Sequence, residues 1–294
     1  MKLKTLIFIC GIIFWVANVA FCLPWQILHE QADNLTVDSA KLGLKNNPND
    51  LNNLYVLGLT YLNIYNHIQA KSVFEQMIAI SPDLVEGKWG IAEALRREYQ
   101  IDISQKMLEE IVARQPDFFP AFISLSYIKF NLKEYDQSAK LSDRVIRRGQ
   151  KTADIHTLTR AYLIFAGAKG MIAHNGGLLS AVINGSPVYT NIKRARSLMP
   201  ESPEVYYGLG CFYFLAPAAY GGNIAKAKEC LEKAIELDPE LIDAYVRLAQ
   251  VYKLSGDRNK FDYYLNLAIS KEPKSFLAND IKNNTCDFIC LEPQ

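Results

Sequence analysis

The chain has little of what marks most catalytic or cross-linked proteins. Six cysteines in 294 residues are too few for a disulfide framework. The four histidines, His29, His67, His156 and His174, form no HExxH pair, and none lies at metal-ligand spacing from a cysteine. No Gly-x-Ser-x-Gly elbow occurs. The glycine-rich stretches lack the Gly-Lys-Ser/Thr ending of a phosphate loop. Neither sign of charge dominates, with 32 Lys and Arg against 31 Asp and Glu. A neutral chain is not built to bind nucleic acid by counterion release. These absences point away from an enzyme, a metal, a cofactor and a nucleic-acid partner. A hydrophobic fraction of 50% and a charged fraction of 21% also exclude a disordered chain.

Long apolar runs are missing too, except at the start. Lys2 and Lys4 precede an uncharged apolar stretch over residues 5–21, ended by Leu23-Pro24. This is the pattern of a secretory signal peptide, residues 1–22, with cleavage after Ala20 or Cys22. The alternative is an uncleaved membrane anchor over residues 5–23, barely long enough to span a bilayer. Phe21 before Cys22 argues against lipidation, because a lipoprotein signal needs a small residue there. Both readings place the body outside the cytosol, periplasmic or secreted, touching a membrane only through an uncleaved leader.

What is present is a period. Pro48, Pro82 and Pro116 are spaced by 34 residues, as are Pro239 and Pro273, with Pro200 between them. Within residues 51–84, Leu57-Gly58, Tyr61, Ala70, Phe74 and Pro82 stand at positions 7, 8, 11, 20, 24 and 32 of the unit. The unit at 242–275 repeats this with Leu248-Ala249, Tyr252, Leu265, Ala268 and Pro273. The unit from 203 does so with Leu209-Gly210, Tyr213, Ala227, Leu231, Ala234 and Pro239. Small residues let two antiparallel helices approach, large ones fill the gap, and proline ends the second helix. Each hairpin leaves an apolar face that only a neighbour covers, so several must stack.

In these residues the chain resembles the tetratricopeptide repeat family over residues 51–275. The resemblance implies an all-α, right-handed superhelical solenoid of antiparallel helix hairpins. Residues 23–50 read as one N-terminal helix closed by Asn46-Asn47-Pro48, and 276–294 as a C-terminal cap or tail. The unit following 152 is longer by an insertion at about 167–188. Its five glycines flank an apolar segment, Leu178, Leu179, Ala181, Val182 and Ile183, which is a lid dropping into the groove or an extension of the helices. The unit from 203 is also long, with its excess at 217–222, a P-x-x-x-G-G turn. Here the latter half is similar to exported helical-repeat partners of TRAP-type solute transporters.

The family resemblance also implies a concave groove lined by first helices. Its candidate binding residues are Tyr55, Leu59, Trp89, Glu93, Tyr127, Phe130, Ala161, Tyr207, Phe214 and Gln250. The stripe is mostly aromatic and aliphatic, which suits a peptide or partner helix, or an apolar small molecule. The same stripe could instead pack on the N-terminal helix, the insertion or the far end of a tight superhelix. Cys286 and Cys290, close together in the tail, are the candidate disulfide; Cys211 and Cys230 read as small buried residues. The expected function is a non-enzymatic exported scaffold for protein contacts, with a carrier of an apolar small molecule or lipid, accessory to a transporter, as the alternative.

Overall fold

A computed structural model of the chain describes residues 23–285. All regular structure in it is helical. Two short helices, α1 (Trp25–Asp33) and α2 (Val37–Gly43), open the fold. Six hairpins follow: α3 (Leu51–Asn63) with α4 (His67–Ile80), α5 (Val85–Arg97) with α6 (Ile101–Arg114), and α7 (Phe119–Asn131) with α8 (Tyr135–Gly149). Then come α9 (Ile155–Asn175) with α10 (Leu178–Leu198), α11 (Pro203–Leu215) with α12 (Ile224–Leu237), and α13 (Ile242–Leu254) with α14 (Arg258–Lys271). Helix α15 (Phe276–Asn283) closes the stack. Helices α1 and α2 both pack on α3, and from there each helix packs on the next, the contact pattern of an all-α solenoid. Among the described residues no helix is long and apolar enough to cross a membrane. The leader and the Cys286–Cys290 pair lie outside them.

The helix ends follow from the sequence. Helices α4, α6, α10, α12 and α14 each stop two residues before a proline, Pro82, Pro116, Pro200, Pro239 and Pro273. The residue before proline avoids the helical region, so the helix ends there. Asp50, Asn66, Asp154, Ser202, Asn223, Asp257 and Ser275 cap following helices by accepting a backbone N–H. The N-terminal segment corrects the expectation of one helix. Thr36 accepts the Ser39 N–H and starts a second helix after a break at Asn34 and Leu35.

The insertion takes the second of its two expected forms. Helices α9 and α10 are each 21 residues long and turn at Gly176-Gly177. The apolar segment does not drop into the stack: Leu178 is 90% exposed and Leu179 75% at the tip.

Close approach between hairpins is set by glycine. Phe74 of α4 is fully buried between α3 and α5. A Cβ on Gly58 would lie 2.5 Å from its ring, and one on Gly90 would overlap the ring outright. Gly210 does the same for Leu231, at 2.7 Å, in the α11–α12 hairpin. We expect Gly90→Ala to lower stability by about 1–3 kcal/mol, the usual cost of overpacking. Adding Phe74→Leu should return part of that loss. Urea unfolding checks both, and a Gly90→Ala variant as stable as the native chain would refute the packing argument.

Candidate functional site

The inner face of the first hairpins is occupied by α1. The backbone N–H of Leu23 donates to the buried Glu86 of α5 at 2.9 Å, which fixes where the chain enters. The imidazole of His29 then shares a 2.8 Å hydrogen bond with the Tyr55 hydroxyl and stacks on Trp89 at 5.6 Å. Its Nδ1 sits 3.3 Å from the Asp154 carboxylate at the start of α9. Trp25 packs edge-on against Phe118 and Phe119. So α1 touches α3, α5 and α9 together, and the aromatic stripe of the first two units packs on it.

This decides where the candidate groove residues stand. Tyr55, Leu59, Trp89, Ala161 and Phe214 are buried in packing and do not form an open wall. Phe214 belongs to the cluster between α11, α12 and α13. Phe130 is half-buried against Tyr135 at 5.4 Å. Glu93, Tyr127, Tyr207 and Gln250 come together differently, around an inner space whose lining is polar.

Glu93 is 3% exposed and holds two guanidinium groups. Arg96 donates to it from Nε at 2.8 Å and Nη2 at 2.6 Å, and Arg97 from Nε at 2.8 Å. Trp89 donates to the Ser124 hydroxyl at 3.0 Å, which in turn donates to Glu93 at 2.8 Å. Burial alone would raise the Glu93 pKa, but Arg96 and Arg97 outweigh it and hold the carboxyl well below its usual range. The Arg96 guanidinium lies over the Tyr127 ring, 4.5 Å from its centre. Opposite, Arg247 of α13 donates to Gln250 at 2.8 Å, and Tyr207 and Cys211 lie beside it. Asp243, one turn earlier, acts electrostatically on both Tyr127 and Tyr99. Burial raises the pKa of Asp243, Tyr127 and Tyr207. Burial and the nearby Arg97 push His67 down to about 4. Arg96, Asp243 and Arg247 were not among the expected site residues. Asp243 and Arg96 occupy unit positions 2 and 12, both groove-facing in the repeat family, so a signal for those two existed.

The stack curves far enough for its first turns to touch its last units through side chains. The turns of the first three units carry Tyr65, Tyr99 and Lys133, 34 residues apart, all at positive φ. That conformation costs a non-glycine residue about 1–2 kcal/mol. The last unit has Gly256 at the same place. The two tyrosines reach across the superhelix. The Tyr65 hydroxyl donates to Asp238, between α12 and α13, and the Tyr99 ring meets Phe276 of α15 edge-on at 5.1 Å. In the long turn after α11, Gly221 has φ 100°, and a Cβ on Gly222 would overlap the Ala216 carbonyl. Both glycines are therefore required there.

Two predictions follow from these contacts. Burial works against the Asp154 carboxylate, but hydrogen bonds from His29 and Thr157 lower its pKa from 3.8 to about 2. Its stabilising contribution is present above about pH 4 and is lost as pH falls toward 2. His156 is raised above 6.5, first by its hydrogen bond with Asp33 of α1. Its contribution is present below 6.5 and is lost as pH rises through the folded value. Docking of α1 should thus be tightest between about pH 4 and 6.5; near-ultraviolet dichroism of the tryptophans during thermal melts would show it, and a flat profile would refute it. The double variant Tyr65→Asn/Tyr99→Asn keeps residues that tolerate positive φ and removes both cross-ring contacts. Small-angle scattering should give a larger radius of gyration at unchanged helix content; an unchanged radius would mean that the tyrosines do not hold the ring shut.

Known proteins fit this architecture. A tetratricopeptide repeat protein from Parabacteroides merdae superposes with TM-score 0.54 at 15% identity, covering 90% of this chain and 99% of its own. The human IFIT1 dimer with m7Gppp-AAAA gives TM-score 0.58 at 16% identity, covering 84% of this chain and 57% of its own. At these identities the likeness is one of fold. No curated protein matches the sequence. The family model of the TRAP transporter T-component, TAtT, matches residues 124–285, from α7 through α15 and including the long α9–α10 hairpin and the Gly221-Gly222 turn. That match covers more than half of the chain, which therefore belongs to the TRAP transporter T-component family.

Proposed function

We propose that the protein is a non-enzymatic accessory component of a TRAP-type transporter, exported by its leader, which works by binding another component of that transporter. The observation that carries this reading is the tip of the α9–α10 hairpin, inside the segment matched by the family model. Leu178, Leu179, Val182 and Ile183 there are 59–90% exposed. Single exposed apolar residues are ordinary, but a contiguous apolar patch on a projecting element is characteristic of a protein contact. Supporting this choice of surface, the candidate groove residues Tyr55 and Trp89 pack against His29 of α1, and Leu59 is buried. The membership in a transporter family supports a periplasmic or membrane-associated location.

The test is site-specific photo-crosslinking from position 179 in cells that also express the solute-receptor and membrane components of the same transporter. The expected result is one dominant adduct with one of those components, lost in Leu178→Glu/Val182→Glu. An adduct with neither component, or one that survives the double glutamate variant, would refute the proposed contact. Fractionation of the same cells would place the chain outside the cytosol if the leader works as proposed.

A further inference from the structure

The chain has 31 acidic residues, yet the sequence from Ile155 to Pro200 contains no aspartate and no glutamate. That stretch is the α9–α10 hairpin. Its cations are Arg160, Lys169, Lys193, Arg194 and Arg196. Arg160 lies 3.7 Å from Glu204, and Lys169 donates to Asn184 at 2.9 Å. The other three stand exposed on α10. Each is set against a tyrosine ring: Lys193 at 5.8 Å from Tyr189, Arg194 at 6.0 Å from Tyr162, and Arg196 at 5.9 Å from Tyr206. A ring face accepts a cation without cancelling its charge. On the neighbouring elements, Asp143 of α8 pairs with Arg147 and Glu204 of α11 with Arg160. Among the described residues no carboxylate, including those of Asp136, Glu201 and Glu229, comes within the ion-pair limit of 4.0 Å of the three.

These cations share a face with the apolar tip. Leu179, Val182, Ser186, Tyr189 and Lys193 follow one another at three- and four-residue spacing, and all are exposed. They therefore form one stripe along α10. From Leu178 to Arg196 the stripe is about 27 Å long, at 1.5 Å per residue. Its tip end is apolar and its base end cationic.

That arrangement argues against two occupants. A helix lying on a lipid surface carries its cations beside the apolar face along its length, and here the two sections stand end to end. Inserting the tip would also bring the Gly176-Gly177 turn and the exposed His174 and Asn175 toward hydrocarbon. A second copy of this chain would set like charges together if parallel, and cations on leucines if antiparallel. A face of one sign is complementary to a partner of the other.

We propose that the transporter component contacting the tip does so through a segment that is apolar at one end and acidic at the other, laid along the outer stripe of α10 so that its carboxylates meet Lys193, Arg194 and Arg196. This rests on the reading of the tip as the contact with that transporter, and adds where the contact extends and what charge the partner brings. The tip supplies apolar area, and the cations fix the direction of the segment, because a reversed one would lay its carboxylates on leucine.

Photo-crosslinking from position 190, in the cells used for position 179, tests it. Both positions should join the same transporter component, and mass spectrometry of the adduct from 190 should find a partner peptide containing aspartate or glutamate. Lys193→Glu/Arg194→Glu should lower both adducts by about tenfold at unchanged helix content, whereas Lys193→Arg/Arg194→Lys should retain them. An adduct from 179 alone would overturn this inference and leave the reading of the tip standing. So would a partner peptide without acids, adducts that survive the double glutamate variant, or a position-190 adduct with phospholipid or with a second copy of the chain. Absence of any adduct from 179 would remove the reading of the tip, and this inference with it.

Discussion

Helix hairpins of this kind bury only one face each, and the closeness with which the next hairpin can approach governs everything above it. In the first two units that closeness is set where Phe74 lies against Gly58 and Gly90, at positions where any Cβ would meet the ring. A buried ring with no side chain opposing it fixes both the distance and the rotation between neighbouring hairpins. Repeated along the chain, a fixed rotation makes a superhelix, and its pitch decides whether the concave side stays open. Here the contacts of Tyr65 with Asp238 and of Tyr99 with Phe276 bring the turns of the first and second hairpins to the α12–α13 linker and α15.

Closure changes what the inner residues are for. In an open groove, an aromatic stripe is a surface waiting for a peptide. In a closed ring with α1 inside it, Tyr55 and Trp89 become packing for His29 and Trp25. The inward residues beyond the reach of α1 are polar, and Glu93, Arg96, Arg97 and Arg247 among them are charged. Charged groups enclosed together are stable only when they answer one another. Glu93 binds Arg96 and Arg97 together, and Arg247 donates to the Gln250 amide. The strain at Tyr65 and Tyr99 belongs to the same arrangement. Two bulky residues in the left-handed region persist only where the surroundings over-determine them, and the contacts across the ring supply that.

Much of the fold is legible in the sequence because it is written locally. The proline spacing gives the hairpin ends, the small and large residues give the packing faces, and the excess at 217–222 marks a turn that the structure builds around Gly221 and Gly222. The break between α1 and α2 was also local, in the capping threonine Thr36, and was overlooked. The closure is not legible. Nothing near Tyr65 announces a partner 173 residues away, and a tyrosine at that turn position reads only as a poor substitute for glycine. The inner site suffers from the same limit. Periodicity identifies which positions face inward, but whether a guanidinium there finds a carboxylate depends on a helix from the other end of the chain.

The hairpin tip and the inner residues are joined through one helix hairpin, α9 and α10. Helix α9 runs unbroken from Ile155 to Asn175. Asp154 at its start binds His29, Arg160 pairs with Glu204, and its last residues lead into the Gly176-Gly177 turn, beyond which α10 begins with the exposed tip. At 1.5 Å per residue the distance from Arg160 to the turn is about 22 Å. Helix α9 is packed along α8 and α10 over its length. A partner that tilts the tip would therefore bear on Arg160 and on the Asp154 contact with α1. Such coupling is reciprocal in free energy. It requires no pathway of side chains, only that α10, which bears the tip, packs along the α9 that carries Arg160.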